Sequence, residues 1–132
     1  MADAATIAVG KQNFKEVVER EGLVLIDWWA PWCGPCRTFG PIFERVAAKH
    51  PGATFAKVNT EDEQELAAAF GIQSIPTLMI FRDRVPLFAQ PGALPEAGLE
   101  DLIGQATALD MDKVRAEIAE HEKQHQAEKS GT

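Results

Sequence analysis

Runs of apolar residues divide the chain into short strands and helices. Leu23–Trp29 is almost continuously apolar, which is typical of a strand buried on both faces in a parallel sheet. After Cys36 the apolar positions recur at helical spacing, and this pattern ends near His50. Asn13, with Glu16 three residues later, resembles a capping box at the start of an earlier helix. The same patterns predict further strands at 6–9, 54–59, 77–82 and 85–90, and further helices at 61–70 and from Pro95.

The order of these segments predicts an α/β fold with a mixed sheet. The first six alternate between strand and helix, which favours parallel strands with helices on both faces. Only Asp83 and Arg84 separate the last two strands, so these should form an antiparallel hairpin. Pro86 cannot donate a backbone hydrogen bond, which places the second of them at the sheet edge. We expect about five strands, four flanking helices and a C-terminal helical extension.

The length of 132 residues suits one compact domain, with a change of composition near its end. We expect residues 1–107 to form this domain. Residues 108–132 are rich in charge and alanine, and only Met111, Val114 and Ile118 form a narrow apolar stripe. This segment is therefore predicted to be a helical extension that docks weakly or frays.

Charge and hydropathy limit the classes of partner. The chain carries 20 acidic and 13 basic residues, a net charge of −7, whereas nucleic acid requires a basic face. The first residues lack a signal-peptide pattern, and the apolar stretch at 23–32 is too short to cross a membrane. We therefore expect a cytoplasmic protein that binds neither nucleic acid nor a membrane. Cysteines in that compartment are usually reduced, so the two present here should serve chemistry.

Cys33 and Cys36 are separated by two residues and stand where a helix is predicted to begin. Free N–H groups and the positive end of the helix dipole favour a thiolate at Cys33, and the thiolate is the nucleophile. Cys36 should lie one turn deeper and be less exposed, where it can attack a mixed disulfide formed by Cys33. Gly34 and Pro35 restrict the small ring, and Trp32 offers a flat apolar surface to a client chain.

Other chemistry for these residues requires features that the sequence lacks. A zinc or iron–sulfur site usually takes four ligands, so one cysteine pair would have to share its site with a second chain. A short loop disfavours an inert structural disulfide. His121, Glu122 and His125 fit zinc-protease spacing, but their polar neighbours favour an exposed helix face. We expect a redox-active Cys33–Cys36 disulfide, no metal and no bound cofactor.

Asp27 lies in the middle of the apolar strand before the cysteines. A carboxylate in such a position is unfavourable unless it is paired or protonated. The residues alone therefore allow a core acid that is satisfied by hydrogen bonds or kept protonated.

The decapeptide at 27–36, Asp-Trp-Trp-Ala-Pro-Trp-Cys-Gly-Pro-Cys, is followed about forty residues later by Ile75-Pro76-Thr77 and then by Gly92. In residues, order and spacing, positions 5–105 resemble thioredoxins. The resemblance implies the thioredoxin fold and a general protein-disulfide reductase. It further implies oxidised proteins as clients and thioredoxin reductase, which uses NADPH, as the source of electrons.

The resemblance also implies roles for residues around the cysteines. Asp27 would act as a general base toward Cys36, and Lys57 would approach this acid, although a solvent-facing strand lysine explains Lys57 equally well. Ile75–Pro76 would be a cis peptide beside the cysteines, with the Ile75 backbone pairing with an extended client segment. Gly92 would allow that segment to approach closely.

Three features depart from the usual thioredoxin pattern. Ser74 stands where a glycine commonly precedes Ile-Pro, Asp83-Arg84 replaces a turn with glycine, and the charged extension is longer than the family needs. Two other functions remain open. One is a disulfide oxidase or isomerase, which the Gly-Pro dipeptide disfavours. The other is a client-binding or subunit role that is independent of redox chemistry and uses the acidic extension.

Overall fold

A computed structural model describes residues 5–130, with side chains described as far as His125. Within these residues, five strands and five helices confirm the predicted α/β class, and four helices precede the C-terminal helical extension. In chain order they are β1 (Thr6–Ala8), α1 (Phe14–Val18), β2 (Leu23–Trp29), α2 (Gly34–Lys49), β3 (Thr54–Asn59), α3 (Gln64–Ala69), β4 (Thr77–Arg82), β5 (Val85–Pro91), α4 (Glu96–Ala108) and α5 (Met111–Ser130).

The five strands form one mixed sheet in the order β1-β3-β2-β4-β5. β3 pairs in parallel with both β1 and β2, while β4 runs antiparallel to β2 and to β5. The almost continuously apolar β2 is the central strand, and β5, which contains Pro86, lies at the edge as predicted. The site follows β2, so the chain leaves the middle of the sheet directly into α2.

Each face of the sheet covers a separate apolar core. Ile26 and Trp28 of β2 pack in one core with Phe14 of α1, and Leu25 packs in the other with α2 and α4. Because side chains alternate along a strand, Asp27 faces the same side as Leu25. The chain therefore places a carboxyl group beneath α2, among residues that otherwise exclude water.

The predicted capping box at the first helix is wrong. Asn13 accepts a hydrogen bond from the Gly10 N–H at 2.8 Å and makes no side-chain cap on α1. Glu16 instead pairs with Arg20 at 2.7 Å, one turn further along the chain. The physical reason is a tight turn over residues 10–14, in which the Phe14 N–H donates a hydrogen bond to the Gly10 carbonyl. Because the Asn13 side chain bonds within this turn, it is not available to cap α1.

The hairpin turn and the end of α4 meet at Arg82. Asp83 and Arg84 both have positive φ, 50° and 74°, so this turn forms without the glycine that usually occupies it. Arg82 donates hydrogen bonds from Nη1 to three carbonyl oxygens at the end of α4, at 2.6–3.0 Å, those of Ala106, Thr107 and Leu109. These carbonyls lack partners within the helix, so a cation satisfies them.

α5 contacts the rest of the protein mainly at its beginning. Met111 is buried, and the Arg115 guanidinium donates a hydrogen bond to the Asp83 carbonyl at 3.2 Å. Most later side chains, including those of His121, Glu122 and His125, are exposed. Among residues 5–130, no helix combines the length and apolar character that a membrane span requires. The boundary between a domain at 1–107 and an extension at 108–132 stays a prediction.

Candidate active site

Cys33 is the N-terminal cap of α2. Its backbone is extended, with φ −86° and ψ 118°, and its Sγ accepts a hydrogen bond from the Cys36 N–H at 3.2 Å. Pro35 occupies the first turn, where a missing N–H leaves no helical hydrogen bond unmade, and this turn contains no acidic side chain. An anionic sulfur at Cys33 would therefore meet a donor N–H and the positive end of the helix dipole.

Cys33 and Cys36 form a disulfide whose Cα atoms are 5.2 Å apart. The two residues are 5% and 4% exposed, so exposure in this oxidised state does not separate them as the sequence predicted. Ala30, Trp29 and Ile75 pack against the pair. The disulfide is thus embedded in an apolar rim rather than projecting from the surface.

A surface suited to an extended chain surrounds the disulfide. Trp32 is 64% exposed, and the Ile75 carbonyl oxygen lies 3.7 Å from the Cys33 Sγ. The Ile75–Pro76 peptide is cis, as the resemblance implies. Gly92 has φ 111°, which favours glycine, and its N–H donates to the Pro76 carbonyl at 2.8 Å. The fold therefore brings these residues to one side of the cysteines.

Asp27 lies in β2, six residues before Cys33, and is completely buried. Neither of its carboxyl oxygens accepts a hydrogen bond from the described residues. Burial raises the pKa of Asp27 from 3.8 to about 7; the nearby Lys57 lowers the pKa, and Glu44 raises it further. The described residues thus supply no hydrogen bond of the kind that a satisfied core acid would have, and the raised pKa allows Asp27 to hold or release a proton near neutral pH.

Lys57 pairs with Asp27 in the β2–β3 register, but its ammonium group points elsewhere. Nζ lies 3.2 Å from the Glu44 Oε2 and 5.1 Å from the centre of the Trp29 ring. The side chain is 19% exposed and gives Asp27 no hydrogen bond. Lys57 is therefore neither a freely solvated strand lysine nor a direct partner of Asp27.

Glu44 is the residue that the sequence interpretation missed. It follows Cys36 by eight residues, or slightly more than two turns of α2, and therefore lies toward the same side of the helix. With Lys57, Trp29 and Asn59 it lines a cleft of about 440 Å³. Among the described residues, no three histidine, cysteine or acidic side chains are arranged to hold a metal.

Comparisons with known proteins agree on one family. The sequence profile of the thioredoxin family matches residues 5–105. The chain is 57% identical over 120 residues to the putative thioredoxin 2 of Streptomyces coelicolor, covering 91% of this chain and 90% of that protein. It is 41% identical to thioredoxin 1 of Synechococcus elongatus, covering 78% and 94%. A solved thioredoxin variant from Halobacterium salinarum NRC-1 superposes with a TM-score of 0.73 at 33% identity, covering 83% and 98%.

Proposed function

This chain belongs to the thioredoxin family of thiol–disulfide oxidoreductases, and from that premise we propose that it is a general protein-disulfide reductase of the cytoplasm. The observation that carries the proposal is the position of Cys33 as the cap of α2, with its Sγ accepting the Cys36 N–H. This geometry favours the thiolate at the first cysteine and keeps the second within reach.

The proposed reaction begins with the reduced protein. The Cys33 thiolate attacks one sulfur of the client disulfide; a new sulfur–sulfur bond forms, the client bond breaks, and the other client sulfur leaves as a thiolate. The Cys36 thiol then loses its proton and attacks Cys33, which releases the second client thiolate. The two client sulfurs take up protons, so the client gains two electrons and the Cys33–Cys36 disulfide forms.

We assign the proton acceptor for Cys36 to Asp27. Its pKa of about 7 suits a general base, because such a group is partly ionised at neutral pH and is still basic enough to take a proton. The buried position also keeps bulk water from competing for this proton. In this proposal Lys57 adjusts the proton affinity of Asp27 through its charge and does not touch the client.

The client is proposed to bind as an extended segment across Trp32 and the Ile75–Pro76 peptide. The exposed indole supplies apolar contact, and the Ile75 backbone beside Cys33 supplies a strand-like edge. Gly92 leaves room for the client backbone, while Gly34 and Pro35 restrict the small disulfide ring. Backbone recognition of this kind is tolerant of sequence, which suits a reductase with many clients.

Thioredoxin reductase is the proposed electron donor, with NADPH as the ultimate source of the two electrons. The test is to measure the potential of the Cys33–Cys36 couple against glutathione, together with NADPH-dependent reduction by a thioredoxin reductase. A potential of about −270 mV, the value known for thioredoxins, indicates a reductant. A potential well above about −200 mV indicates an oxidant. The second result, or failure of the reductase to act, would overturn the proposal.

Two variants test the residues in the mechanism. Cys33→Ser combined with Cys36→Ser should abolish insulin reduction, whereas a purely structural role would survive this change. Asp27→Ala should slow insulin reduction near neutral pH because Cys36 loses its proton acceptor. Unchanged turnover in that variant would remove Asp27 from the mechanism and leave the two cysteines in place.

A further inference from the structure

The ammonium group of Lys57 is held on the surface of α2 rather than over Asp27. Nζ contacts the Glu44 carboxylate at 3.2 Å and lies over the Trp29 ring. Gly40, one turn before Glu44, lies beside the same ammonium group, and a Cβ there would be in ordinary contact with Nζ at 3.6 Å. The carboxylate and the aromatic ring therefore hold one cation at a defined place on α2.

We propose that Glu44 is a positioning residue that holds the Lys57 ammonium group away from Asp27 and so sets the pH range over which Asp27 can accept the proton of Cys36. This inference rests on the proposed function, in which Asp27 is that acceptor. Glu44 contacts Lys57 and would act through it. It also carries a negative charge that disfavours ionisation of Asp27 directly.

Among the described residues, two charged groups shift the ionisation of Asp27, and they are Lys57 of β3 and Glu44 of α2. The disulfide removes Cys33 and Cys36 from titration. On β4 the partner of Asp27 is the apolar Leu78, and α4 adds apolar side chains to the same core. Lys57 favours the ionised form of Asp27 and Glu44 opposes it.

Ordinary side-chain motion would suffice to release Lys57. The Glu44 side chain is 47% exposed, so its removal leaves no buried cavity and should leave the fold intact. Without the carboxylate, the lysine loses its ionic partner on α2. Its long side chain can then reorient toward ionised Asp27, while Asp62 and Glu63 line the same cleft. A turn of Lys57 toward Asp27 and the loss of the Glu44 charge both favour ionised Asp27.

The experiment is a pH titration of the Asp27 carboxyl carbon by NMR in the oxidised full-length protein. Glu44→Ala is expected to lower the midpoint by about 0.5–1 unit, a loss of proton affinity of about three- to tenfold. Lys57→Met should raise it. Glu16→Ala is the matched control, since it removes another exposed helix carboxylate that is paired with a cation, Arg20, and should leave the midpoint unchanged.

A double variant separates positioning from simple charge. If Glu44 acts through Lys57, Glu44→Ala should shift the Asp27 midpoint much less when Lys57 is already methionine. An equal shift in both backgrounds would show that Glu44 acts only by its own charge and would overturn the inference. Absence of any shift in the single variant would overturn it as well.

The reduced protein supplies a readout that separates this inference from the proposed function. In the insulin assay, Glu44→Ala should shift the acidic limb of the pH–rate profile to lower pH, by about as much as it lowers the Asp27 midpoint. If Asp27→Ala leaves turnover unchanged, the proposed role of Asp27 fails while the titration still reports on Glu44. If Asp27→Ala slows turnover but Glu44→Ala shifts neither midpoint nor profile, only the inference about Glu44 fails.

Discussion

Replacing Asp27 with alanine should stabilise the oxidised protein, by an amount that grows with pH. The carboxyl group is completely buried, and its pKa is raised from 3.8 to about 7. Between these values the folded protein keeps a proton that the unfolded chain has released. The folded state thus binds more protons, so the free energy of unfolding of the wild-type protein falls as pH rises through this window. The variant lacks this fall.

The two pKa values set the magnitude. A rise from 3.8 to about 7 corresponds to about 4 kcal/mol of unfolding free energy, at about 1.36 kcal/mol per unit. Part of this is already lost at about pH 5, so the free energy of unfolding should differ by about 2–3 kcal/mol between about pH 5 and about pH 9. Removing the side chain also leaves a small cavity. That cost does not depend on pH and cancels when the two conditions are compared.

Urea unfolding followed by tryptophan fluorescence measures the effect. Wild-type protein, Asp27→Ala and Asp101→Ala would be compared in the oxidised state at both pH values. Asp101 is an exposed carboxylate on α4 that accepts a hydrogen bond from Gln105, so its variant controls for the loss of an aspartate outside the core. Asp27→Ala should gain about 2–3 kcal/mol relative to wild type on going from the lower to the higher pH.

The reasoning would be refuted by a free-energy difference between Asp27→Ala and wild type that is the same at both pH values. Such a result would mean that Asp27 titrates alike in the folded and unfolded states, although it is buried and no described residue donates a hydrogen bond to it. It would also remove the basis for a proton acceptor active near neutral pH.

The cysteine pair and the Arg82 contacts lead to three further predictions. In the reduced protein, iodoacetamide should modify Cys33 at least about tenfold faster than Cys36 at neutral pH, as measured by mass spectrometry, because the helix start favours its thiolate; equal rates would contradict this. Cys36→Ser should accumulate a covalent Cys33–client complex on non-reducing gels, and Cys33→Ser should not. Arg82→Met should lower the free energy of unfolding by about 1.5–3 kcal/mol, because carbonyls at the end of α4 lose a charged donor. Arg20→Met, which breaks only an exposed ion pair, should change the free energy of unfolding by about 0.5 kcal/mol or less. Similar losses in both variants would contradict the proposal that Arg82 caps the end of α4.

Local features of the fold could be predicted because short stretches of sequence determine them. The apolar run of β2, the helical spacing after Cys36 and the two-residue connection at Asp83-Arg84 each depend on neighbours in the chain. The placement of Cys33 at a helix start is of the same kind, since residues 33–36 form the first turn themselves. The wrong prediction of a cap at Asn13 shows the limit of such reasoning. The Asn13 side chain could bond either the start of α1 or the Gly10 N–H, and in the structure it bonds Gly10.

The sequence by itself determined the two cysteines, the strands and helices, and the presence of an acid within an apolar strand. Only the tertiary structure decided the strand order, the capping of α4 by Arg82 and the pairing of Lys57 with Glu44. These contacts join residues that are far apart in sequence, and their distances depend on how α2 and α4 pack on the sheet. The pKa of Asp27 depends on those distances and on the exclusion of water, two quantities that no local pattern of residues contains.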